Sequence, residues 1–140
     1  MEISLCLLTW DEIEGCRMDV PRLDLSAFSQ VFALDAGSQD GTSEFLSSWG
    51  IEVVDQEERG YNAAYIEALS YFTGDAVIFF HPKGTIDPDH TLQMAELLQR
   101  GFDLVIASRL LRGSVNEEDS TGLRPRKWFG QSLAVAASMR

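Results

Sequence analysis

Four apolar residues in a row, Val77-Ile78-Phe79-Phe80, stop abruptly at His81-Pro82-Lys83-Gly84. An unbroken apolar run predicts a strand covered on both faces, as in a parallel sheet. Pro82 has no N–H to donate, so pairing is expected to end there. Asp87 and Pro88 then suit the N-cap and first position of a helix. That helix is predicted over Asp89–Arg100, with Leu92, Ala95 and Leu98 on its apolar face and Gly101 ending it.

The same alternation extends along the chain. Strands are predicted at Ile3–Leu8, Val31–Leu34, Ile51–Val54 (towards an edge) and Asp103–Ala107, with Val77–Phe80 as the central strand. Helices are expected from the polar group Thr9-Trp10-Asp11-Glu12 to about Met18, and over Ser43–Trp49, Ala63–Phe72 and Arg126–Arg140. Gly15 should weaken the first. In the third, Ala64, Ala68, Leu69 and Phe72 are assigned to one face, with Gly74 as its end. Leu23–Ser29 is read as a short helical or irregular connection, and Arg112–Pro125 as a polar loop. Strands alternating with helices predict a three-layer α/β/α sandwich around a mostly parallel sheet, in one domain over residues 1–140.

Composition narrows the partners. The net charge of −11 argues against a nucleic-acid ligand. Six of the eleven basic residues fall in 109–140, against three of the 22 acidic ones. That segment is either the basic start of a solvated helix or a surface facing an anion such as a diphosphate. No run has the length of a membrane span, and Met1-Glu2-Ile3 carries no basic leader region. Cys6 and Cys16 have no motif spacing, so reduced thiols and a cytoplasmic location are expected. An open sheet edge or bare apolar helix face would allow a homo-oligomer.

In an open α/β sheet, ligands bind outside the carboxyl ends of the strands. Neither G-x-G-x-x-G, the P-loop pattern nor G-x-S-x-G occurs there. The strand-end loops instead read Thr9-Trp10-Asp11-Glu12, Asp35-Ala36-Gly37-Ser38-Gln39-Asp40-Gly41-Thr42, Arg59-Gly60-Tyr61-Asn62, the His81 loop and Ser108-Arg109. In this order the series resembles family 2 glycosyltransferases of the GT-A, nucleotide-diphospho-sugar transferase type. It is most like the polyprenyl-phosphate (dolichyl-phosphate) mannosyltransferase branch. The first loop resembles that family's P-T-Y-N-E, and the second, Asp35–Thr42, its V-D-D-G-S-x-D-G-T, closely from Gly37 to Thr42. Gly60–Asp75 resembles its G-x-x-x-A helix with T-G-D, and Asp103–Arg109 its D-x-V-x-G-S-R.

The resemblance implies transfer of a hexose from a nucleotide-diphosphate sugar to an acceptor. It places Thr9, Asp11 and Glu12 near the nucleoside and Asp35 beside base and ribose. Arg109 and Arg126 would face the diphosphate or a sugar phosphate. In the family, a D-x-D motif after the central strand holds Mg²⁺ or Mn²⁺ against the diphosphate. Here His81-Pro82-Lys83 occupies that place, Ala36 replaces the second acid of D-D-G-S, and Arg140 falls about where the acceptor-binding half would begin.

Three readings of the His81 loop follow. Lys83 could replace the metal as a fixed cation, so that no metal cofactor is needed. A metal could bind in shifted register through His81, Asp87, Asp89 or His90, although Asp87 is better explained as a cap. Or the loop could be a turn in a catalytically inactive relative kept for binding or assembly. The other residues have plain readings too. Asp40-Gly41-Thr42 suits a turn and cap, Trp10 and Trp128 suit packing, and Glu57-Glu58 suits a solvated pair.

Overall fold

The computed structural model describes residues 1–108. The chain divides into two units, Met1–Val105 and Ile106–Arg140, and every described element belongs to the first. The elements are β1 (Ile3–Thr9), α1 (Ile13–Asp19), β2 (Gln30–Asp35), α2 (Thr42–Ser48), β3 (Glu52–Asp55), α3 (Tyr61–Tyr71), β4 (Ala76–Phe80) and α4 (Asp89–Gln99). Short 3-10 turns at Val20–Arg22 and Leu25–Ala27 fill the connection from α1 to β2.

The four strands form one parallel sheet in the order β3-β2-β1-β4. Thr9 lies opposite Asp35, Asp35 opposite Asp55, and Leu7 opposite Phe80, so all four carboxyl ends share one edge. From β1 the chain steps outward through β2 to β3 and then crosses to the far side of β1. The direction therefore reverses between β1 and β4, which is where such sheets open a crevice.

Side-chain alternation sorts the helices into layers. Ile3, Leu5 and Leu7 pack with Cys16, Leu46, Ala95 and Leu98, so α1, α2 and α4 cover one face. Cys6, Leu8, Phe32 and Leu34 pack with Ala64 and Ala68, so α3 covers the other. Leu5 and Leu7 are wholly buried, each worth about 1.5–3 kcal/mol relative to exposure.

Several expectations are corrected. The inner strands of the described sheet are β1 and β2, and every residue of β1 is buried. β4 is an outer strand among the described residues, and its Val77 and Phe79 are only partly buried. Residues 103–107 form no strand. Leu104 faces solvent and no described strand pairs with the segment, so its apolar character does not secure a place in the ladder. Leu69 points outward at 54% exposure, because five residues from Ala64 is not a whole number of helical turns. α3 ends at Tyr71, ahead of Gly74. α4 begins at Asp89, but its N-cap is Pro88 where Asp87 was expected. The expected loop at Arg112–Pro125 and helix at Arg126–Arg140 lie outside the described residues.

Candidate functional site

Four loops meet at the carboxyl edge, following β1, β2, β3 and β4. The first two are bolted together. Asp11 adopts a left-handed backbone, φ 50°, rare for a residue with a Cβ. Its N–H donates to Ser38 Oγ at 2.8 Å, and its Oδ1 accepts from the Gln39 N–H at 2.7 Å. The Glu12 N–H donates to Thr42 Oγ1 at 3.0 Å and the Ile13 N–H to Asp40 Oδ2 at 2.9 Å. Asp40 also accepts from the Thr42 N–H at 3.0 Å. The N–H groups of Glu12 and Ile13, at the start of α1, are thus satisfied from the neighbouring loop, and the Glu12 side chain makes no capping bond. Gly37 and Gly41, at φ 84° and 94°, supply the left-handed turns this needs.

Asp35 is 1% exposed, and its carboxylate is fully engaged. Oδ1 accepts from the Thr9 and Ser38 hydroxyls at 2.8 and 2.7 Å. Oδ2 accepts from the Gly37 and Ser38 N–H groups at 3.1 and 2.8 Å. Burial alone would raise the Asp35 carboxyl. The donors, Ser38 foremost, outweigh burial and hold it below the usual carboxylate range.

The fourth loop is gripped by α1. The Gly84 N–H donates to Asp19 Oδ2 at 2.8 Å, and Gly15 lies against the backbone of Pro82 and Lys83. Lys83 reaches back across the edge, with Nζ 3.1 Å from Glu12 Oε1 and 3.5 Å from the Tyr61 hydroxyl. The Glu12 hydrogen bond raises the Lys83 pKa, which keeps the ammonium charged. His81 turns away to Tyr65, Nε2 to hydroxyl 3.0 Å. Burial first, then the Lys83 charge, pushes the His81 pKa down, so the imidazole is neutral at pH 7.

These loops enclose a cleft of about 480 Å³. Thr9, Glu12 and Lys83 line it, as do Trp10, Ala36, Arg59 and Tyr61. Asp11 and Asp35 are not among the lining residues; their carboxylates bond within and between the first two loops. Arg109 and Arg126 lie outside the described residues. Trp10, expected to pack, is 63% exposed at the cleft. Arg59 and Tyr61 went unselected in the sequence, where a lone Arg-Gly-Tyr carries no signal of what it faces. Glu57 and Glu58 are exposed, as expected.

The shifted-register metal reading is corrected. Among the described residues no three His, Cys, Asp or Glu side chains converge on a metal position. Asp87 is taken by Arg22 at 2.8 Å and by the Asp89 N–H at 3.3 Å.

A parallel 3-2-1-4 sheet with a cleft at its switch point is the architecture of nucleotide-binding α/β proteins. The chain belongs to glycosyl transferase family 2, whose family model matches residues 25–136. Glycosyltransferase AglJ of Haloferax volcanii is 29% identical over 109 residues, covering 76% of this chain and 36% of that protein. Glucosyl-3-phosphoglycerate synthase from Mycobacterium tuberculosis, with Mn²⁺, UDP-glucose and glycerol 3-phosphate, superposes with a TM-score of 0.64. It is 21% identical, over 71% of this chain and 40% of the synthase. The same synthase with UDP gives a TM-score of 0.59 at 25% identity, over 71% and 40%. The fold is therefore GT-A, and the chain spans about two fifths of the length of these relatives. No described helix is long and apolar enough to cross a membrane.

Proposed function

We propose that this chain is the nucleotide-diphosphate-sugar-binding domain of a family 2 glycosyltransferase that transfers a hexose to an acceptor. The observation that carries this reading is the Lys83 ammonium in the cleft at the sheet's switch point. The solved relative's complex with UDP supports a nucleoside diphosphate as ligand. The divalent cation of the family does not fit the described residues. On the resemblance, an ammonium and a Tyr65-bound imidazole take the place of the family's carboxylate pair, and this supports assigning the diphosphate charge to Lys83.

Thr9 and Glu12 border the nucleoside, while Asp11 and Asp35 hold the loops around base and ribose. Arg109 and Arg126 complete the reading as contacts to the diphosphate or to a sugar phosphate. The motif series from Gly37 to Thr42 and from Asp103 to Arg109 supports the polyprenyl-phosphate mannosyltransferase branch. The buried free thiols Cys6 and Cys16 support a cytoplasmic location. A second reading, an inactive relative kept for binding or assembly, draws on the Glu12 carboxylate that already neutralises Lys83.

Isothermal titration of UDP, GDP and their sugar conjugates, with Mg²⁺, with Mn²⁺ and with EDTA, separates the two. Binding in EDTA that is lost in Lys83→Ala is expected. Binding that requires metal overturns the role of Lys83, and no binding in any condition leaves the inactive relative.

A further inference from the structure

Glu12 and Lys83 come from loops on opposite sides of the switch point and meet at the cleft wall. The Glu12 side chain is 25% exposed and that of Lys83 42%, so solvent and solute reach the pair. The bond that fixes Glu12 in its loop is a backbone one, from its N–H to Thr42 Oγ1. The next bond along, from the Ile13 N–H to Asp40, is also backbone. Moving the Glu12 carboxylate off Lys83 breaks neither.

We propose that Glu12 is an internal competitor for the anion site on Lys83, displaced by a diphosphate and opposing ligands in proportion to their negative charge. This rests on the nucleotide-sugar reading above. Among the described lining residues one carboxylate, Glu12, faces two cations, Arg59 and Lys83. A ligand phosphate must separate Glu12 from Lys83 and then bind beside it. The charge it brings decides how strongly it is repelled. A sugar ester of a nucleoside diphosphate has one fewer ionisation than the free diphosphate, whose terminal phosphate titrates near pH 6 in the manner of a monoester. Glu12 therefore disfavours the free diphosphate more than the sugar ester. That difference favours release of a spent nucleotide over release of a charged donor. The same pair sets a threshold against weakly held anions, because Lys83 is never presented bare.

The test is calorimetry on the 140-residue chain in EDTA at low salt. The titrants are pyrophosphate and, for both uridine and guanosine, the free nucleoside, the diphosphate and its glucose ester. Glu12→Gln keeps the side-chain shape and removes the charge. It is expected to tighten pyrophosphate and nucleoside diphosphate about three- to fivefold, the size of a part-exposed ion pair. The sugar ester gains less and the uncharged nucleoside nothing. Without Lys83 the competition is gone and only the direct repulsion is left, so Glu12→Gln gains clearly less over Lys83→Ala than over wild type, and the gain shrinks at high salt. Glu12→Ala, with the same charge change, serves if the Gln variant fails to fold.

Unchanged or weaker diphosphate binding overturns the proposal. So does an equal gain on the neutral nucleoside, a gain undiminished by loss of Lys83, or no pyrophosphate binding by wild type or variant. Pyrophosphate gain without nucleotide binding keeps the competitor and removes the nucleotide reading. Nucleotide binding without gain does the reverse.

Discussion

A Cβ on Gly15 would lie 2.0 Å from the carbonyl oxygen of Pro82 and 2.7 Å from Lys83 Cα. The missing side chain lets α1 press directly on the loop after β4, and the atoms it meets are backbone with nowhere to retreat. Gly15→Ala must push that loop outward, costing about 1–3 kcal/mol as overpacking does. Urea unfolding would show the loss, and pyrophosphate affinity should fall with it as Lys83 shifts. A variant that is as stable as wild type, with unchanged affinity, would mean that α1 does not position Lys83.

Asp35 should govern part of the acid limb of stability. Its folded pKa lies below the unfolded reference of 3.8. The stability it contributes is therefore fully present above that reference and disappears as pH falls through the folded value. Asp35→Asn should flatten that limb. It should also cost about 1–3 kcal/mol at neutral pH, since an amide cannot accept from four donors. Thermal melts from strong acid to neutral pH test this, because the stabilities of the two proteins should converge in acid.

Asp19 should act in the opposite sense. Burial raises its pKa, opposed by the Gly84 N–H and then by Arg22. A carboxyl with a raised folded pKa contributes stability present below the unfolded pKa and lost as pH rises through the folded one. Asp19→Asn keeps an oxygen for the Gly84 N–H and removes the charge. The variant should gain on wild type as pH rises from acid towards neutral, and a constant difference across the range would refute the assignment.

Both thiols should be silent in the folded protein. Burial pushes Cys6 and Cys16 up to about 12, and the Glu12 carboxylate adds to the effect at Cys16. Almost no thiolate exists at neutral pH, and neither sulfur is exposed. Ellman's reagent should titrate no cysteine in native buffer and both in guanidinium. Rapid reaction of either without denaturant would show that the core around β1 or α1 opens.

Much of the fold was legible from short-range pattern. The apolar runs at Ile3, Val31 and Val77 became parallel strands, and Leu92, Ala95 and Leu98 turned α4 towards the core. Thr9, Glu12 and Lys83 were selected in the sequence and line the cleft. Leu104 was misread because an apolar run states a preference for burial and does not say whether a partner strand is available. Trp10 was misread as packing because exposure is a property of the folded surface.

The chain alone determined the periodicities, the breaks at Pro82 and Gly101, and the turn chemistry of Gly37–Thr42, because these depend on backbone and side-chain preferences over a few residues. Only the tertiary structure decided that β1 is an inner strand with β4 at its outer side and that Asp40 serves Ile13. It alone brought Glu12 to Lys83 from the far side of the switch point. Those pairings depend on strand order and on loop closures whose free-energy cost rises only slowly with loop length, so nothing local in either partner announces them.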